Sequence, residues 1–145
     1  RTGKMDVTMA VNGAISGLVA ITAGPDLPSG GTATLIGLVG GVIGYYSIIF
    51  LDNTLKIDDP VGAISAHGSA GIWGIMVVPL TNSDATFAIQ AVGAVSIFLW
   101  AFLTSLVVSL ILKNTIGLRA TVEEEEIGLD ESEVGVPSYP EFVKQ

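Results

Sequence analysis

The sequence predicts an all-α, polytopic membrane helical bundle with four transmembrane helices. Three observations carry this reading. Half of the 145 residues are apolar, only 14% are charged, and the charges gather at chain breaks and in the tail. A soluble domain ordinarily carries about 25% charged residues. Between Lys4 and Lys113 the only Lys or Arg is Lys56, so long stretches hold almost no ionised group.

A helix that crosses a hydrocarbon core of about 30 Å needs roughly 20 mostly apolar residues, and four such runs are present. The first covers residues 7–24 and stops at Gly24-Pro25, a helix terminator. The second covers 32–51, after Gly30-Gly31 and before Asp52-Asn53. The third covers 60–80, with Asp59 placed to N-cap and Pro60 at the first helical position, where its missing N–H costs nothing. The fourth, 85–112, is longer than a bilayer needs and is expected to tilt or protrude. Residues 1–118 thus form a transmembrane region and 119–145 an acidic tail.

Lys and Arg near span ends favour the cytoplasmic side. Arg1 and Lys4 precede the first span, Lys56 separates the second and third, and Lys113 and Arg119 follow the fourth. With four spans all five fall on one face, so both termini are expected in the cytoplasm; the membrane expected is the plasma membrane. Gly13 and Gly17, Gly37 and Gly41, and Gly40 and Gly44 are each four apart, the spacing that lets helix backbones approach in lipid.

Several function classes are excluded by composition. The formal charge of -8 sits mostly in the last 25 residues and describes a tail. No Lys/Arg stripe is available to neutralise nucleic acid phosphates. Zero cysteines rule out disulfides, thiolate metal sites and Cys nucleophiles. No nucleophile–base pair, phosphate loop or metal-ligand spacing appears, so neither an enzyme nor a cofactor is expected. Arg1 to Asp6 lead into a span with no cleavage site behind it, and the missing initiator Met points to a fragment.

His67 is the sole histidine, seven residues after Pro60. On a helix that begins at Pro60, a rise of 1.5 Å per residue carries it about 10 Å into the span. Such a ring either fills a hydrogen-bonded core position or borders a pathway, and ionisable groups within spans more often do the latter. Ala63 and Gly71, one turn either side on the same face, leave room beside it.

The run from Asp58-Asp59-Pro60 through His67-Gly68 to Gly71 and Gly74 resembles, with matching spacing, a signature of the Amt/Mep/Rh ammonium transporters. Asn12-Gly13-Ala14 to Ala23-Gly24 is similar to that family's eighth helix. Gly117-Leu118-Arg119 with Glu123 to Glu126, Gly128-Leu129-Asp130, Gly135 and Tyr139 is similar to its cytoplasmic tail.

The resemblance implies the last four helices and the C-terminal tail of an eleven-helix fold that transports ammonium or ammonia. By it His67, with Ala63 and Gly71, lines the pore, His67 being the second of two histidines that meet there. Asp58 and Asp59 cap a cytoplasmic helix start, which capping and the helix dipole explain alone. Gly128, Leu129, Asp130 and Tyr139 belong to a regulatory tail. A homotrimer and a PII-type signalling partner are further implications, and Val134 departs from the histidine often found before the Gly135 position. Thr121 to Glu124 fits a capping box opening a short helix. The competing readings are a non-transporting membrane fragment or modulatory subunit packed against complete transporters, and a haem-binding four-helix protein. A single histidine disfavours the latter.

Overall fold

A computed structural model describes residues 3, 6–26 and 29–138, and among these every regular element is helical. The chain divides into two compact units, Arg1–Phe98 and Leu99–Gln145.

Helix α1 (Val7–Ile21) opens where the Asp6 carboxylate accepts from Met9 N at 3.1 Å. It closes at Thr22, short of the Gly24-Pro25 stop. The reason is local: Thr22 N and Oγ1 both donate to Val19 O, at 3.1 and 2.7 Å, tightening the last turn. Helix α2 (Gly30–Phe50) is capped by Ser29, whose hydroxyl accepts from Thr32 N, so Gly30 and Gly31 lie inside its first turn. Its end widens into a π-helical stretch, Leu51–Leu55, closed by Lys56 at φ 56°.

The third helical segment begins later than Pro60. Asp59 O accepts from Gly62 N at 2.9 Å, and Gly62 has φ +69°, a value that ends any helix continuing back to Pro60. The segment opens as a π-helical stretch, Ile64–Ser69, runs on as α3 (Ala70–Val77), and ends in a 3-10 turn, Val78–Leu80. Helix α4 covers Phe87–Thr115. In the tail follow α5 (Val122–Ile127) and α6 (Leu129–Val134).

Among the described residues, Gly30–Leu55 (26 residues) and Phe87–Thr115 (29 residues) are long and apolar enough to cross a membrane, whereas Val7–Ile21 and Ile64–Leu80 are shorter apolar helices. At 1.5 Å per residue, the first of these shorter helices reaches about 22 Å. The late start after Gly62 is what shortens the third.

Glycines and small residues bring α1 and α2 together. Gly17 lies over the Gly37 carbonyl and Gly41 over the Gly13 carbonyl, with Gly40 against Ala20. Gly74 of α3 packs on the Ala20 backbone. Ala20, Ile36 and Val77 form the buried centre, with Ile21 and Trp73 packed against it. Trp73 Nε1 donates to Ile36 O at 3.1 Å, satisfying the indole.

Candidate functional site

His67 sits in the wide stretch Ile64–Ser69. With that stretch starting near Ala63, the ring is about one turn inside the helix instead of about two. One side of this segment is buried through Ser65, Ala66, Ala70 and Gly74, while Ala63, Ile64 and His67 are exposed and Gly71 is half-buried. Ala63 and His67 thus share an open face. Gly71 lies nearer α1, where an added Cβ would stand 3.7 Å from Val19 Cγ1. The His67 ring makes no hydrogen bond or ion pair among the described residues. A neutral imidazole carries one donor and one acceptor, so such a ring has both to offer.

The start of the segment is held by Asp59. Its Oδ1 accepts from Ile64 N at 3.0 Å, and its Oδ2 accepts from Ser65 N at 3.0 Å and Ser65 Oγ at 2.9 Å. Burial pushes this carboxyl up, but the hydrogen bonds from Ile64, Ser65 and Ala63 outweigh it and hold the pKa below its ordinary value. Asp58 is exposed and its side chain makes no hydrogen bond among the described residues. The two acids therefore differ: one organises the helix start and the other does not.

Sequence reasoning missed the polar side chains packed between these helices. Asn12 and Ser16 of α1 are buried, at 7% and 0% exposure. A Cβ on Gly62 would stand 2.6 Å from Asn12 Oδ1, and the Ser16 hydroxyl has no hydrogen-bond partner among the described residues. Ser47 and Ser69 join α2 to the wide stretch through hydroxyls 2.7 Å apart. The available signal was the presence of hydroxyl and amide side chains inside apolar runs. An open apolar cleft lies elsewhere, lined by Ile72, Met76, Ala91, Ala94, Val95 and Phe98. His67 is not among its lining residues. Among the described residues no cluster of His, Cys, Asp or Glu could hold a metal ion.

In the tail, Arg119 Nε and Nη2 donate to the two Glu125 carboxylate oxygens at 2.7 and 3.0 Å. That pairing raises the Arg119 pKa and lowers that of Glu125. Thr121 and Glu124 form a reciprocal capping box, and hydrogen bonds from the Thr121 backbone and hydroxyl lower the Glu124 pKa. Gly128 at φ 104° separates α5 from α6, and Asp130 Oδ2 accepts from Ser138 N at 2.6 Å. Leu129 opens α6 and is exposed. Tyr139 lies outside the described residues, as do Arg1 and Lys4, two of the residues that set the expected orientation.

The sequence profile of the Ammonium Transporter Family matches residues 1–139. The chain is 37% identical over 163 residues to the ammonium transporter Amt2 of Archaeoglobus fulgidus, covering 99% of this chain and 35% of that protein. It is 38% identical over 134 residues to the putative ammonium transporter sll1017 of Synechocystis, covering 91% and 30%. It is 35% identical to the ammonium transporter Amt1 of Haloferax mediterranei, covering 97% and 28%. A solved structure described as a sensor Amt protein superposes with a TM-score of 0.82 at 34% identity, over 91% of this chain and 35% of that one. The chain spans about a third of the length of these relatives.

Proposed function

Because this chain belongs to the ammonium transporter family, we propose that it supplies the His67-bearing wall of a pathway carrying ammonium or ammonia across a membrane. The carrying observation is the position of His67: an imidazole with no hydrogen bond among the described residues, on the exposed face of an apolar helix, beside the small Ala63.

The physical case starts from desolvation. A bare ammonium ion in an apolar tube loses far more hydration than local hydrogen bonds return. Leaving the proton behind removes most of that cost. Neutral ammonia then needs one group midway that both donates and accepts, which an imidazole does. His67 therefore hydrogen-bonds the deprotonated substrate and relays its proton, together with a second histidine from another part of the protein. Ala63 and Gly71 keep side-chain bulk away from the path. No covalent step is involved, so the protein acts as a transporter and not as an enzyme.

The same reading puts the protein in the plasma membrane with the acidic tail in the cytoplasm. It also assigns Asp58 and Asp59 to the cytoplasmic helix start and Gly128 to Asp130 and Tyr139 to a regulatory tail. A homotrimer and a PII-type partner at that tail complete it. Sizing of the solubilised protein and titration with a PII-type protein check these two, a monomer and an absent interaction being the adverse results.

His67→Ala tests the central claim. Electrogenic ammonium current across a reconstituted membrane is expected to disappear, or to lose its discrimination against potassium. Currents of unchanged size and selectivity remove His67 from the pathway.

A further inference from the structure

The residue that the proposed transport depends on stands on an unusual piece of backbone. π-helical turns are rare, appear mostly as single wide turns inside α-helices, and are frequent at functional sites. The stretch Ile64–Ser69 carries His67 near its middle, and it is fastened at both ends by side chains. At its start the Asp59 carboxylate takes the Ile64 and Ser65 N–H groups and the Ser65 hydroxyl. At its end the Ser69 hydroxyl meets the Ser47 hydroxyl of α2 at 2.7 Å. Ser65 is fully buried, and Ser47 and Ser69 are half-buried.

Resting on the transport reading above, we propose that Ser47 and Ser69 are positioning residues that hold open the wide turn carrying His67 and so set the direction of its ring. The reason is geometric. A wide turn holds one residue more than an α-helical turn, and one residue corresponds to about 100° of rotation and 1.5 Å of rise. Downstream, α3 is anchored by Gly74 on the Ala20 backbone and by Trp73 on Ile36 O. Upstream, Asp59 anchors the start. If the turn tightens, the residues between these anchors must rotate, and His67 is one of them. The Ser47–Ser69 bond ties this stretch sideways to α2, a helix that is itself locked to α1 through Gly37 and Gly41.

His67 is the only histidine in this chain, and in the histidine-selectively labelled protein its ring nitrogen signals are identified as those that His67→Ala removes. The membrane-reconstituted protein is compared with Ser69→Ala, Ser47→Ala and Ser69→Thr. Both alanine variants are expected to shift the His67 ring nitrogen signals and to lower ammonium uptake several-fold, with the double variant no worse than either single one. Ser69→Thr, which keeps the hydroxyl, is expected to restore both. Unmoved ring signals in both alanine variants overturn the proposal, as does a Thr variant that behaves like Ala. His67→Ala separates the two ideas: if it leaves uptake intact the transport reading fails, while the ring signals still judge the positioning role.

Discussion

A Cβ placed on Gly17 would stand 2.9 Å from the carbonyl oxygen of Gly37. The reciprocal contact, from Gly37 to the Gly17 carbonyl, is 3.2 Å, and one helical turn along Gly41 repeats the first against Gly13 at 2.9 Å. These neighbours are backbone atoms, which cannot swing aside as a side chain would. Gly17→Ala or Gly41→Ala is therefore expected to push α1 and α2 apart and to cost about 1–3 kcal/mol, the usual size of an overpacking penalty. Gly13→Ala, where an added Cβ meets nothing within 4 Å, is expected to be close to neutral. Thermal unfolding in a single detergent gives the ranking, and equal melting of all three variants would refute the close-approach account.

That contrast marks how far the residue pattern reaches. Spacing alone pairs Gly13 with Gly17 and Gly37 with Gly41, since four residues return to one helix face. It cannot say that Gly17 meets backbone while Gly13 faces open space, because that depends on the crossing of two helices. The window around His67 was legible for a related reason: a lone imidazole in an apolar run is rare enough to notice. The wide turns Leu51–Leu55 and Ile64–Ser69 were not. One extra residue per turn leaves little trace where small and apolar side chains occupy both faces. The same blindness put the third helix at Pro60, since an Asp-Pro pair reads as a start and nothing local reveals that Gly62 must turn at φ +69° against Asn12.

The tail helix α5 is short, so its cap should decide whether it forms. Thr121 Oγ1 accepts from Glu124 N at 3.3 Å while the Glu124 carboxylate accepts from Thr121 N at 2.7 Å. Thr121→Ala is expected to weaken α5 by about 1 kcal/mol, the common effect of losing such a cap. Amide hydrogen exchange across Val122–Ile127 measures it, and protection equal to that of the parent would show that the box contributes nothing. The Glu124 pKa lies below its ordinary 4.5 in the folded tail, so its contribution is present above that value and fades as pH falls through the folded pKa.

Asp59 holds the start of the third helical segment through a single side chain. Its carboxylate takes three hydrogen bonds while only 9% exposed, and bonds to a charged group are stronger than neutral ones. Asp59→Asn keeps the size but replaces one acceptor oxygen with a donor, which then faces the N–H or hydroxyl groups of Ile64 and Ser65. A loss of about 2–3 kcal/mol is expected from leaving such donors unmatched. The sign with pH follows from the lowered pKa. Folding favours the ionised form, so the stabilisation is complete well above the ordinary value of 3.8 and is lost as pH falls through the folded pKa. The Asn variant cannot titrate there, and its melting temperature should approach that of the parent as the solution is acidified. Asp58→Asn, altering a carboxylate with no hydrogen bond among the described residues, should melt like the parent at every pH. If Asp58→Asn and Asp59→Asn behave alike, the helix start is not held by the contacts to Ile64 and Ser65, and the fixed upstream end assumed for the turn around His67 goes with it.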